Sequence, residues 1–256
     1  MQNKRMQNAY NSYFRFNNKR TLSTGLPSEL YMSESEENAI FVDKTRRYDN
    51  QIIIRTTCNF EKIEGYLKLY SSEFSPEICI EPAVNTRELQ AWLSNQGFET
   101  IFDHEFLHLL SSDFVSTQRN PTSVVVERWE EDRVDDFLTL LKTSGLECSN
   151  EIWAQKRSLY CTDTFRCYVA KVDGDVCSWA TSFIDNDYAI LANAYTQEDY
   201  RGKGCQKALL STRIQDATEM GVEVFLTDVM PDSVSSRNCK SVGFSSLGIR
   251  EVWGKS

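Results

Sequence analysis

Residues 196–208 combine glycines and cationic side chains where a strand-like run gives way to a helical one. The segment reads Thr-Gln-Glu-Asp-Tyr-Arg-Gly-Lys-Gly-Cys-Gln-Lys-Ala, with Gly202 and Gly204 on either side of Lys203. Glycine permits tight turns and lets a ligand approach the backbone closely. Peptide N–H groups at the start of a helix face outward, and the helix dipole favours an anion there. The pattern predicts a diphosphate-binding loop, to which Arg201 and Lys203 add positive charge.

Two better-known phosphate-binding loops do not fit this segment. The nucleoside-triphosphate loop requires Gly-x-x-x-x-Gly-Lys-Ser/Thr, which does not occur in the chain. The dinucleotide fingerprint requires Gly-x-Gly-x-x-Gly, and Lys207 occupies its last position. The remaining alternative is a tight connection between a strand and a helix that happens to carry two surface cations.

Strands and helices alternate in a regular order around this loop. β-branched runs and the Asp173-Gly174 hairpin signal indicate strands, and apolar residues at helical spacing indicate helices. The predicted strands cover 123–129, 165–172, 175–185, 188–196, 222–228 and a final pair within 246–253. The predicted helices cover 130–142, 149–160, 205–220 and 235–241.

The first half of the chain repeats part of that order. It has predicted strands at 51–57 and 77–80, predicted helices at 61–70 and 87–94, and then Gly97-Phe98, much as Gly243-Phe244 follows the last helix. The shared order is typical of a degenerate internal repeat, although strands and helices also alternate in unrelated α/β chains. We therefore predict a basic N-terminal segment at 1–26, an N-terminal lobe at 27–115, a polar linker at 111–122 and a C-terminal lobe at 122–256.

The loop also resembles a known family signature. Arg201-x-x-Gly204-x-Gln206 is similar to the coenzyme A motif of the GNAT (GCN5-related N-acetyltransferase) superfamily, Gln/Arg-x-x-Gly-x-Gly/Ala, from which Gln206 departs. Asn238 followed by Gly243-Phe244 resembles the closing helix and strand of these proteins. The first half resembles the degenerate N-terminal half of two-lobe members. The resemblance implies an α/β fold in which helices flank a mixed, largely antiparallel central sheet in two pseudo-repeated lobes.

The function that this resemblance implies is transfer of an acetyl group from acetyl-CoA to an amine or hydroxyl acceptor by direct attack. One backbone N–H of the strand before the loop would polarise the thioester carbonyl, which is usually a large electrostatic contribution to acyl transfer. The cofactor-binding positions implied in this way are Ala194, Tyr195, Thr196, Arg201, Gly202, Lys203, Gly204, Cys205, Gln206 and Asn238.

The residues for proton transfer are less clearly indicated. Many members carry a tyrosine four residues before the glycine of the terminal Gly-Phe pair, and Cys239 occupies that position here. A thiol with a pKa near 8.5 can act as an acid, whereas a buried cysteine more often serves in packing. Asp228, at the end of a predicted strand, is the candidate base, and its alternative role is to cap a loop. A non-catalytic acyl-CoA sensor is therefore a second hypothesis.

His104-Glu105-Phe106-Leu107-His108 matches the HExxH pattern of zinc metallopeptidases. That chemistry requires a helix, on which the two imidazoles share one face and the glutamate lies beside a metal-bound water. The repeat predicts a strand here instead, and in a strand the imidazoles lie too far apart to bind one ion. We therefore predict no metal, and the peptidase stays as the alternative hypothesis.

Composition limits the class of protein. A net charge of −9 argues against nucleic-acid binding, although residues 1–20 are basic, and the chain has no apolar run long enough for a signal peptide or membrane span. The eight cysteines form no Cys-x-x-Cys pair, which favours reduced thiols and a cytoplasmic location. The predicted partners are acetyl-CoA and an unidentified amine acceptor, in a monomer or homodimer.

Overall fold

A computed structural model describes residues 2–47, 49–56, 59–71, 73–84, 86–115 and 124–255. In chain order they form α1 (Gln2–Arg20), β1 (Tyr31–Glu34), β2 (Asn38–Val42), β3 (Gln51–Ile54), α2 (Phe60–Leu67), β4 (Glu77–Ile80), α3 (Arg87–Asn95), β5 (Glu99–Leu110), β6 (Val124–Trp129), α4 (Val134–Lys142), α5 (Asn150–Lys156), β7 (Phe165–Val172), β8 (Asp175–Asp185), β9 (Tyr188–Thr196), α6 (Cys205–Glu219), β10 (Val224–Val229), α7 (Val234–Ser241) and β11 (Ser245–Gly254).

The chain divides into two compact units, each made of two segments. The first unit comprises Met1–Gly25 and Leu107–Ser245, and the second comprises Leu26–Phe106 and Ser246–Ser256. The predicted division into a basic segment and two lobes was drawn from the sequence repeat and follows the order of the chain. The two units each combine separate segments, so the predicted division stays a prediction. Most of the predicted linker lies outside the described residues.

The sheet of the first unit contains β10, β9, β8, β7 and β6 in that order, with the end of β5 beside β10. Strands β6 to β9 pair in antiparallel fashion, and β9 and β10 pair in parallel. Asp173 (φ 53°) and Gly174 (φ 96°) make the turn between β7 and β8, so the hairpin predicted from this dipeptide is confirmed. A mixed, mostly antiparallel sheet flanked by helices is the fold class that the sequence predicted.

Helix α1 was not predicted, although its sequence carries the necessary signal. Met6 and Ala9 are buried, and they pack in one cluster with residues of α4, α5 and β7 to β9. The Phe16 ring lies 5.1 Å from the Phe165 ring and 5.0 Å from the Phe183 ring, measured between centroids. Buried or half-buried side chains therefore recur at helical spacing, and they dock the basic segment on the sheet.

The second unit contains β1, β2, β3, β4, β11 and β5 in that order, with a parallel pair at β3 and β4. Isoleucines of β3 and β4 pack against the apolar faces of α2 and α3. The predicted strands and helices of this half are confirmed, whereas β1 and β2 were not predicted. The predicted final strand pair is wrong, because β11 runs through Gly248 as one strand.

Candidate functional site

The glycine loop, residues 201–206, leads into α6 through two left-handed residues. Gly202 has φ 78°, and Gly204, the N-cap of α6, has φ 87° and ψ 4°. L-residues with a side chain adopt this conformation at a cost, which accounts for glycine at both positions. The first backbone bond of the helix runs from the Ala208 N–H to the Gly204 carbonyl. The N–H groups before Ala208 therefore have no partner within the helix.

The start of α6 differs from that of the shorter helices. Helices α3 and α4 also begin without a side-chain cap, but their first turns contain acidic residues. Asn59, Ser149 and Ser233 cap α2, α5 and α7, each by accepting a bond from a first-turn N–H. Gly204 has no side chain with which to do so, and the first turn of α6 contains no acidic residue. The free N–H groups and the positive end of the dipole together favour an anionic ligand.

The two cations of the glycine loop lie at the surface. The Arg201 guanidinium is 3.1 Å from the Glu198 carboxylate, and the Lys203 ammonium lies 4.5 Å from the centre of the Tyr200 ring. Exposed pairs of this kind contribute about 0–1 kcal/mol. Either cation can therefore turn towards a bound anion at little cost.

The Cys205 side chain faces the core rather than the loop. It is 2% exposed, and its Sγ lies 3.8 Å from the Sγ of Cys177 in β8. Burial raises the pKa of the Cys177 thiol to about 12. Cys205 can therefore offer a ligand only its backbone N–H.

Gln206, which departs from the family signature, turns its side chain towards α7. Its amide nitrogen donates to the Ser235 hydroxyl at 2.6 Å, and its amide oxygen accepts from Asn238 at 2.6 Å. The residue therefore joins the start of α6 to the helix that carries Asn238. The structure thus brings these two predicted cofactor-binding residues together, in contact with each other.

Strands β9 and β10 stop pairing halfway along β9. The paired residues are Tyr188–Ile190 and Val224–Leu226, after which the Thr227 hydroxyl donates to the Leu191 carbonyl at 2.8 Å. We call the space beyond Leu191 and Thr227 the strand gap. The first four residues of β9 are buried, whereas Asn193 and Ala194 are exposed.

The edge of β9 that faces the strand gap keeps free backbone groups. On its other side β9 still pairs with β8, where Ala194, Tyr195 and Thr196 lie opposite Ala180, Trp179 and Ser178. A strand paired on one edge only leaves alternate N–H and C=O groups for another partner. By this alternation, Ala194 and Thr196 direct their backbone groups towards the strand gap, where Arg201 Nε donates to the Thr196 carbonyl at 3.4 Å. Tyr195 directs its backbone groups towards β8, where the Ser178 hydroxyl donates to its carbonyl at 2.7 Å.

A bulge interrupts the pairing of β8 and β9 beside the strand gap. Ala180 pairs with Ala194 and Ser182 with Leu191, so two residues of β9, Ala192 and Asn193, lie opposite Thr181 alone. Bulges bend a strand and redirect its backbone groups, and they occur often beside active sites.

Arg213 of α6 contacts this bulge from the core. One guanidinium nitrogen donates to the carbonyls of Thr181 at 3.1 Å and Ala192 at 3.4 Å, and Nε donates to Leu209 at 3.3 Å. Burial lowers the pKa of Arg213 to about 10, although the Cys239 thiol and the Tyr168 phenol act in the opposite direction. The sequence contained one signal for this residue, a cation within the buried stripe of a helix.

The two candidates for proton transfer lie in different surroundings. Asp228 is exposed and follows directly after Thr227, at the edge of the strand gap. Cys239 is 7% exposed and packs in a cluster with Val242 and Phe244. The structure thus places Asp228 in solvent and the Cys239 thiol in the core near Arg213.

The HExxH segment is not helical. Residues 104–108 lie within β5, where Glu105 is buried and the two histidines are half-buried. Four residues of a strand span about 13 Å, so the two imidazoles cannot bind one ion together. No group of three metal-binding side chains occurs within the described ranges. The helix on which the peptidase hypothesis depended is therefore absent.

None of the helices described for this chain combines the length and apolar character needed to cross a bilayer.

Comparison with known proteins gives a family match and several similar folds. The sequence model described as "Acetyltransferase (GNAT) family" matches residues 124–244. A functionally unknown conserved protein from Staphylococcus epidermidis superposes with a TM-score of 0.64 at 13% identity, covering 89% of this chain and 95% of that one. A GCN5-related N-acetyltransferase from Kribbella flavida superposes with a TM-score of 0.64 at 11% identity, covering 88% of this chain and 89% of that one. A GCN5-related N-acetyltransferase from Sphaerobacter thermophilus superposes with a TM-score of 0.58 at 13% identity, covering 86% of this chain and 81% of that one. A search of curated protein sequences finds no match.

Proposed function

Since its residues 124–244 make this chain a member of the GNAT superfamily of N-acetyltransferases, we propose that it transfers the acetyl group of acetyl-CoA to an amine acceptor. The observation that carries the proposal is the uncapped, glycine-led start of α6 next to the strand gap. The first feature suits a diphosphate and the second suits an extended pantetheine arm. A diphosphate linked to such an arm is the chemical form of coenzyme A.

Each part of the site has a task in this proposal. The N–H groups at the start of α6 bind the diphosphate, with Arg201 and Lys203 turning towards its charge. The free edge of β9 hydrogen-bonds to the pantetheine amides. Asn238, held by Gln206, lies on the α7 side of the same ligand. Acetyl-CoA supplies an activated acetyl thioester, so the protein needs no nucleophile of its own.

Two residues move protons. The amine nitrogen forms the new C–N bond as the C–S bond breaks, and Asp228 accepts the proton that the amine loses. Cys239 donates a proton to the departing thiolate. Asp228 is exposed to solvent, and the Cys239 thiol lies near the buried Arg213 cation.

A non-catalytic acyl-CoA sensor is the second candidate. The buried position of the Cys239 thiol favours it, because a thiol 7% exposed meets a leaving group only if the pocket opens. Sensor and enzyme share the binding site and differ in turnover alone.

The cysteines support a reducing, cytoplasmic location as part of the proposal. None of the seven cysteines in the described part of the chain forms a disulfide, including Cys177 and Cys205, whose sulfur atoms are neighbours. Disulfides persist in oxidising compartments and are rare in the cytosol.

Titration calorimetry with two thioesters tests the binding site. Acetyl-CoA and S-acetylpantetheine share the thioester and the arm, and only acetyl-CoA carries the diphosphate. We expect acetyl-CoA to bind at least tenfold more tightly, and equal affinities would contradict the assignment of the glycine loop. Release of free CoA thiol with a panel of amines then separates the candidates, since the sensor binds without turnover.

A further inference from the structure

Arg20, the last residue of α1, places a cation at the end of a buried helix face. It follows Phe16 by one helical turn, and its guanidinium lies 4.5 Å from the centre of the Phe165 ring, which Phe16 also contacts. The residue is 9% exposed. Removing an arginine from water is unfavourable unless its surroundings compensate. A leucine or methionine would continue the apolar face, so packing alone does not explain a cation here.

The hydrogen-bond partner of the Arg20 guanidinium is neutral. Nη1 donates to the Tyr160 hydroxyl at 3.1 Å, and that hydroxyl donates in turn to the Arg20 carbonyl at 3.1 Å. Burial raises the pKa of the Tyr160 phenol, although the charge of Arg20 acts in the opposite direction, so the phenol keeps its proton at pH 7. Within the described residues, Arg20 forms no ion pair, and its buried Nε has no hydrogen-bond partner. The cation is thus held in place without a counter-ion from the described chain.

A cavity of about 230 Å³ lies against this side chain. Besides Arg20 and Tyr160, its lining comes from the end of α1, the residues that follow it, and Leu146 and Glu147 of the connection between α4 and α5. All of these residues belong to the first unit. Pockets for drug-sized molecules measure about 300–1,000 Å³, so this cavity suits a smaller ligand.

Glu147 gives the cavity a charge of the opposite sign. Because Glu147 is exposed and Arg20 is buried, the positive charge lies at the inner side of the cavity and the negative charge at its solvent side. The planar guanidinium matches a carboxylate in geometry and charge. One carboxylate can therefore enter with its charge towards Arg20, whereas a second carboxylate on the same ligand would face Glu147.

We propose that this cavity is a binding site for a small monocarboxylate, whose oxygens accept hydrogen bonds from the Arg20 guanidinium. The ligand replaces the counter-ion that the described residues do not supply. Tyr160 acts as a positioning residue, because its hydroxyl fixes Nη1 and leaves the remaining N–H groups of the guanidinium for the ligand.

The cavity is separate from the proposed transferase site. The Tyr10 hydroxyl donates to the Thr227 carbonyl at 3.3 Å, next to the strand gap, and Arg20 lies ten residues further along α1. At about 1.5 Å per residue, about 15 Å of helix separates the two positions. A small ligand in the cavity therefore does not reach the strand gap, and the inference does not depend on acetyl-CoA.

Three probes with the same four-carbon chain test the charge preference of the cavity. Butyrate carries one carboxylate, succinate carries two, and butylamine carries an ammonium group instead. The Arg20 Nε–H signal of the full-length wild-type protein reports binding, because a buried N–H exchanges slowly with water. We expect butyrate to shift this signal in a saturable way and butylamine to leave it unchanged. No shift with butyrate, or an equal shift with butylamine, overturns the inference and leaves the proposed function intact.

Succinate tests the role of Glu147. At about 4–6 Å in water, repulsion between its second carboxylate and Glu147 should make succinate about three- to fivefold weaker than butyrate. Glu147→Gln should remove most of that difference. If succinate binds the wild type more tightly than butyrate does, the ligand is not a monocarboxylate and the inference is overturned.

Variants of Arg20 test the cation itself, with butyrate binding followed on the ligand signals. Arg20→Met should weaken butyrate at least about tenfold, because hydrogen bonds to a charged group contribute that much, and Arg20→Lys should keep part of the affinity. Arg15→Met is the matched control, since Arg15 is an exposed arginine of the same helix outside the lining of the cavity. Unchanged affinity in Arg20→Met, or an equal loss in Arg15→Met, overturns the inference. Should Arg20→Met fail to fold, the Nε–H titration of the wild type decides the question.

Discussion

Gly204 offers a direct test of the anion-binding loop through two substitutions of the same shape. Its φ of 87° and ψ of 4° lie in the left-handed region, where asparagine and aspartate are the best tolerated residues after glycine. Gly204→Asn and Gly204→Asp should therefore each lose about 1 kcal/mol of folding free energy, which lowers Tm by about 2–4 °C in a chain of this size. Because steric effects are shared, the difference between the variants isolates charge.

The magnitude of the charge effect follows from Coulomb's law. Two unit charges about 4 Å apart repel each other by about 1 kcal/mol at the dielectric constant of water, which is the appropriate limit for an exposed loop. A carboxylate at position 204 would face two phosphate charges, so Gly204→Asp should bind acetyl-CoA about 2 kcal/mol more weakly than Gly204→Asn. That difference corresponds to about 30-fold in Kd.

Titration calorimetry of both variants at low and high salt measures this effect. The ratio of the two dissociation constants should shrink as salt rises, because exposed charges are screened. S-acetylpantetheine, which has no diphosphate, should not distinguish the variants. Equal affinity of the two variants for acetyl-CoA, or an equal loss with S-acetylpantetheine, would refute the assignment of the diphosphate to this helix start.

Three further predictions concern the surroundings of the site. Gln206→Ala removes the hydrogen bonds to Ser235 and Asn238, so denaturant unfolding should show that the free energy of unfolding falls by about 1–2 kcal/mol. The KM for acetyl-CoA should also rise, and an unchanged KM would show that these hydrogen bonds do not support cofactor binding. Cys239→Ala should lower kcat at pH 7 and have less effect at pH 9.5, where a thiolate leaves without a proton; a rate loss independent of pH would remove Cys239 as the acid. Burial raises the pKa of Cys177 to about 12, so the free energy of unfolding should fall as pH rises from 9 towards 12, where only the unfolded thiol ionises. Cys177→Ser should flatten that part of the curve, and a wild-type curve already flat there would contradict the raised pKa.

Local patterns predicted much of the fold correctly. The Asp173-Gly174 turn, the alternating strands and the two left-handed glycines depend on neighbours in the sequence, and the structure shows each where it was expected. The HExxH match shows that a sequence motif indicates a function only together with the secondary structure that carries it. Its five residues could form a zinc site only on a helix. The internal repeat predicted a strand at this position, and that prediction is confirmed.

Long-range contacts account for what the sequence did not predict. The amide of Gln206 turns to α7, 29 residues away in the chain at Ser235, and nothing in the loop motif indicates that choice. Helix α1 becomes stable only because the faces of β8 and β9 accept Met6 and Phe16. Polar helices gain most of their stability from such tertiary packing, so propensity alone does not reveal them.

Arg213 illustrates why long-range partners cannot be predicted from a local pattern. Burial lowers its pKa to about 10, so the charged guanidinium is less favourable in the folded chain than in the unfolded one at neutral pH, and this penalty fades as pH rises above 10. Three hydrogen bonds, to the carbonyls of Leu209, Thr181 and Ala192, keep the buried donors from being left without acceptors. These acceptors come from α6, β8 and β9, and only the folded chain brings them to one side chain. The sequence shows a cation in the buried stripe of a helix, but the backbone that receives it becomes known only from the bulge between β8 and β9.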